Sequence, residues 1–81
     1  MKRINTELLD YYDKEVVSII INKYNYSPIE ALRQFVTSQT HEMLENAKYE
    51  LWEFGPEGLF DIWEAEKITG NPRNSIYIRG E

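Results

Sequence analysis

The chain has 81 residues, a net charge of −5, no cysteine and a single histidine. A core this small is seldom divided, so residues 1–81 are expected to form one domain without disulfide staples. This composition excludes thiolate zinc sites, thiol redox chemistry and histidine-rich metal centres, and no cofactor is expected.

The charge is unevenly spread. From Glu42 to Glu66 there are eight acids (Glu42, Glu45, Glu50, Glu53, Glu57, Asp61, Glu64 and Glu66) against one base, Lys48. An acidic middle disfavours nucleic-acid phosphates and suits a basic protein surface, or, taken alone, is a solvated surface that aids solubility. The N-terminus "MKRINTELLDYYDKE" lacks the apolar centre of a signal peptide, and the longest apolar run, "VVSIII", is too short to span a bilayer. A cytoplasmic protein without a membrane segment is therefore expected. Six Tyr, three Phe and two Trp exceed what so small a core readily hides, which leaves some rings as binding anchors.

Residues 5–24 predict a helix. Leu8, Leu9, Tyr12, Val16, Ile19 and Ile20 fall within about 120° of arc at about 100° per residue. Asn5 or Thr6 caps its start, and Asn25 in a left-handed conformation ends it. In "SPIE", Ser27 fits the N-cap, Pro28 the first helical position and Glu30 the third, so a second helix starts there. Its Leu32, Phe35 and Val36 are expected to face the core.

The pattern breaks at "TSQT". There Thr40 is the expected N-cap of a further helix, with His41 and Glu42 in its first turn and Met43 and Leu44 facing inward. In this reading His41 is part of a helix joint and replaceable by glutamine without loss of stability. "KYELWEF" predicts an extended connector or a short strand. Gly55-Pro56 opens a last helix over 56–69, closed by Gly70 with Pro72 soon after. Residues 49–53 and 75–79 are candidates to pair as a two-stranded β ribbon. The expected fold is thus mainly α, a three- to four-helix domain with that short ribbon as an option.

Three faces carry the functional reading. Glu57, Asp61 and Glu64 stand at i, i+4, i+7 and predict one acidic stripe on the last helix. Glu66 falls in the opposite, apolar arc with Leu59, Phe60, Ile62 and Trp63. A carboxylate there needs a partner, as an ion pair with Arg73 or Arg33 or as a hydrogen-bonded cap. On the first helix Val17, Ile21 and Tyr24 form a second apolar strip outside the core arc, either central packing or a contact with another chain. The "TGNPRNS" loop lacks the glycine spacing of a phosphate cradle and reads as a post-helix turn.

"SPIEALRQFVTSQTHEML" followed by "FGPEGLFDIWEAEKITGNPRNS" resembles a family of small uncharacterised bacterial proteins of Firmicutes-type genomes, often encoded near toxin-like genes. The resemblance spans about residues 12–76, with His41 where the family pattern favours tyrosine, and it brings no catalytic residue. It implies an accessory or antitoxin-like partner protein. A binding role is expected over a catalytic one, and two functions stand as first reading and alternative. One is a protein-interaction module, a homodimer or the partner of a basic protein, using Val17, Ile21, Tyr24, Glu57, Asp61 and Glu64. The other is a small enzyme or ligand-binding domain built on His41, Glu66 and Arg73.

Overall fold

In the computed structural model, which describes residues 3–75 and 78, the first helix starts where its capping chemistry places it. Helix α1 spans Thr6–Tyr24, and the Asn5 side chain accepts a hydrogen bond from the Glu7 N–H at 2.7 Å. It ends at Asn25, whose φ of 58° is left-handed and whose N–H returns to the Ile21 carbonyl. Asparagine tolerates that conformation better than most side chains. Tyr12, Val16 and Ile20 on this helix are fully buried; Leu8, Leu9 and Ile19 of the expected stripe are half-buried.

Helix α2 spans Pro28–Val36, with Ser27 as N-cap accepting from the Glu30 N–H. Its buried positions are Ala31 and Phe35. Leu32 and Val36, expected in the core, are instead 44% and 40% exposed. The reason is angular: the Ala31–Phe35 pair faces α1, and Leu32 and Val36 lie about 80° and 120° around from its midline.

Helix α3 is short, Gln39–Glu45, and its N-cap is Ser38 rather than Thr40. The Ser38 hydroxyl accepts from the His41 N–H at 3.1 Å while donating to the Phe35 carbonyl at 2.6 Å. It therefore closes α2 and opens α3 together. Thr40 is displaced into the first turn and is wholly buried. Met43 and Leu44 face inward as expected.

Residues 47–54 depart from the expected strand. They form two 3-10 turns, Ala47–Tyr49 and Leu51–Phe54, separated by Glu50 at a φ of 53°. A left-handed residue in the middle breaks any extended run, so 49–53 cannot serve as one half of a ribbon. The other half, 75–79, falls largely outside the described residues. Among the described residues there is no strand, only an isolated bridge between Arg3 and Asn46.

Helix α4 spans Gly55–Thr69 and stops at Gly70, whose φ of 84° is left-handed and whose N–H bonds the Glu66 carbonyl. A 3-10 turn over Pro72–Asn74 follows and folds back on α4. Leu59, Ile62 and Trp63 of α4 join Tyr12, Val16, Ile20, Phe35, Leu44 and Leu51 in one core. Each such side chain contributes roughly 1.5–3 kcal/mol by leaving water. The fold is mainly α, as expected, and no helix among the described residues is long and apolar enough to cross a membrane.

Candidate interaction surface

The expected strip on α1 is split by the structure. Val17 and Ile21 are half-buried and line an open groove of about 700 Å³ between α1 and α2. Pro28 and Leu32 of α2 form its other wall, and Asp10, Asp13 and Lys14 stand on its α1 side. Tyr24 belongs elsewhere. Its ring stacks on Tyr26 and meets Trp63 edge-on, with centroids 5.7 and 5.8 Å away. The Lys67 ammonium lies over all three rings, so this end of α1 is sealed against α4 by aromatic and cation–π contacts.

The α1–α2 face has a second feature that the sequence reading assigned to the core or passed over. Ile29, Leu32 and Val36 are exposed, Ile29 at 74%. On a helix these three fall within about 60° of arc, which makes them a ridge. Leu32 is shared, since it is also a wall of the groove. The signal available in the sequence was the Ala31–Phe35 pair: it already completes an i, i+4 core stripe for a nine-residue helix, leaving the other apolar residues surplus.

The acidic stripe is largely consumed inside the molecule. The Glu64 carboxylate accepts from the Tyr24 hydroxyl at 2.5 Å and pairs with Lys23. Asp61 accepts from the Ser75 hydroxyl at 2.7 Å. Glu57 stands exposed. Burial pushes the Glu64 carboxyl up, but the bonds from Lys23 and Tyr24 outweigh it and hold its pKa below 4.5. The same Glu64 bond is the main cause that raises the Tyr24 hydroxyl to about 12, with burial second.

The signs follow directly. Glu64 stabilises the fold above its unfolded pKa and loses that contribution as pH falls through its lowered folded value. Tyr24 contributes below 10 and loses its part as pH rises towards about 12. Glu64→Gln is therefore expected to cost about 1 kcal/mol at neutral pH, a modest value because Lys23 is half exposed. In urea titrations the gap between variant and wild type should close on acidification. A gap independent of pH would show that the carboxylate is not held by these partners.

His41, Glu66 and Arg73, the alternative set, do not converge. His41 is buried, with Nε2 2.7 Å from Asp13 Oδ1 and Nδ1 3.1 Å from Glu45 Oε1. Its ring also meets Phe35 edge-on at 5.0 Å. The helix joint lies where it was expected, but this burial overturns the expectation that His41 is replaceable. Glu66 accepts from the Gln39 and Thr40 N–H groups, both at 2.9 Å, and from the Thr40 hydroxyl at 2.7 Å. It is a hydrogen-bonded cap, and neither Arg33 nor Arg73 is its partner. Arg73 lines a separate cleft of about 260 Å³ with Gln39, Glu42, Met43, Asn46 and Tyr49. Glu66 edges another, with Gln34, Thr37, Ser38, Trp63 and Lys67.

The two carboxylates on His41 approach opposite edges of the ring and so do not converge on one point. Among the described residues no group of three or more His, Cys, Asp or Glu side chains is placed to hold a metal ion. Comparison of the chain with protein-family models, with curated proteins and with solved structures gives no match, so the surfaces above carry the functional argument alone.

Proposed function

We propose that this protein is a protein-interaction module that docks its partner on the α1–α2 face. The observation that supports this reading is the continuous apolar surface made by Val17 and Ile21 in the groove and by Leu32, Val36 and Ile29 on the ridge beside it. Isolated apolar side chains on a surface need no explanation, but a groove and a ridge joined through Leu32 form a contiguous patch. Removing it from water yields about 25 cal/mol per Å² of apolar area. An antitoxin-like accessory, which the resemblance implies, is one form such a module takes. A partner with a basic surface would find its attraction on the acidic 42–66 region, away from this face.

The alternative, an enzyme or ligand-binding domain, needs His41, Glu66 and Arg73 around one pocket, and each has a different setting. The experiment that tests the proposal is affinity capture from the native cell with tagged wild type, Leu32→Glu and Glu57→Lys. Capture of a protein by wild type and Glu57→Lys that is lost with folded Leu32→Glu is expected. Equal capture by all three would remove the α1–α2 face from the function.

A further inference from the structure

Ridge and groove lie side by side on one face, and this arrangement points to what covers them. We infer that the occupant of the α1–α2 face is a second copy of the same chain, in a two-fold symmetric dimer where each copy's ridge seats in the other's groove. The inference rests on the docking role proposed for this face and names its partner.

Three observations lead there. The first is shape. A two-fold axis normal to the face, between ridge and groove, carries each onto the other. The pair of features is thus self-complementary, as a symmetric interface requires. An unrelated partner would need only a ridge or only a groove to fit one of the two. A helix presenting apolar residues at i, i+3 and i+7, as Ile29, Leu32 and Val36 do, is also the usual occupant of an apolar groove between helices.

The second is charge. The charged side chains bordering this surface are Asp10, Asp13 and Lys14 along the groove and, on the outer flank of the ridge, Arg33 paired with Glu30 at 3.6 Å. With three acids and two bases the face is close to electrical balance although the chain carries −5. Two copies can therefore approach through it without repulsion between like patches, and the acidic excess of residues 42–66 stays on other elements. The same symmetry that places ridge in groove carries Arg33 towards the partner's α1 wall, where Asp10 stands. A strongly charged partner gains nothing here.

The third is area. A stable interface buries about 800 Å² on each side, under one sixth of the 5225 Å² surface of this molecule. The molecule measures 32 × 30 × 18 Å between Cα extremes. The outline has room for an interface of this size.

The test is sedimentation equilibrium of the full chain at low and high micromolar concentration. Wild type is expected to approach twice its 9.7 kDa mass. Leu32→Glu and Ile29→Glu should keep the wild-type far-UV spectrum and raise the dissociation constant at least about tenfold, since each sets a carboxylate in the apolar contact. Ile29 is exposed enough that its change cannot unfold the monomer, so it keeps the test decisive if Leu32→Glu proves unstable. A wild type that stays monomeric at high micromolar concentration overturns the inference. So does a dimer that both variants leave intact, which would place self-association elsewhere. Failure of the dimer and failure of the docking role are separable. A monomer that captures a cellular protein in a Leu32-dependent way loses only the former, whereas a monomer with no such capture loses both.

Discussion

His41→Ala is expected to lower stability by about 3 kcal/mol. The change removes a ring that is 6% exposed and packed edge-on against Phe35, leaving a void in the junction of α1, α2 and α3. It also leaves Asp13 and Glu45 without the group that lies between them. The two carboxylates, with side chains 24% and 33% exposed, each lose a ring nitrogen as hydrogen-bond partner. Against a total stability of about 4–12 kcal/mol for a chain of this length, that is a large fraction. His41→Gln should cost about 1–2 kcal/mol, because an amide reaches one of the two carboxylates. Urea denaturation followed by tryptophan fluorescence measures both. A neutral His41→Ala would show that the ring is not held where the structure places it.

The contrast between His41 and the helix ends shows which features a sequence exposes. Ser27-Pro28, Asn25 and Gly70 act on backbone groups one to four residues away, and their residue types and spacing carry the whole message. The identity of His41's partner carries no such local mark. Asp13 is 28 positions distant on α1, where it reads as one more surface acid, and only the approach of α3 to α1 makes it a half-buried partner. The same holds for Thr40. A hydroxyl before an apolar run has the chemistry of an N-cap, but Ser38 two residues earlier has it as well. What decides between them is a carboxylate 26 residues away that takes the Thr40 N–H for itself.

Periodicity misled where the segment was short. "YELWEF" alternates as a strand would, yet its apolar positions Leu51 and Phe54 are also three apart, the repeat of a 3-10 turn. Leu51 is buried at the core edge, and the Trp52 carbonyl receives the Tyr12 hydroxyl, so turns serve the packing where a strand would have lacked a neighbour. On α2 the error was one of width. Five apolar residues were available for a helix that touches the core along one narrow line, and the small Ala31 marked that line better than the large Leu32 did. The excess became the ridge, so this exposed apolar face was hidden in the sequence as core.

Glu66 was different: a carboxylate in an apolar arc announced that something must satisfy it, though not what. Seven residues make a helix too short to hold itself together, so α3 depends on how its first N–H groups are met. Ser38 takes the third, from His41, and Glu66 takes the first two, from Gln39 and Thr40. A negative group is also favoured at that end by the helix dipole. Glu66→Ala is therefore expected to cost about 3 kcal/mol, since two backbone donors and the buried Thr40 hydroxyl lose a charged acceptor together. Glu66→Gln retains one acceptor oxygen and should cost about half as much. Thr40→Val removes one of the three bonds and should cost about 1 kcal/mol. Because Thr40 and Glu66 share a hydrogen bond, the double variant Thr40→Val/Glu66→Ala should be less damaging than the sum of the two single changes. Equilibrium urea unfolding of the four proteins completes the cycle. Strict additivity, or a Glu66→Ala variant as stable as wild type, would show that α3 starts without this carboxylate and would free Glu66 for the alternative, functional reading.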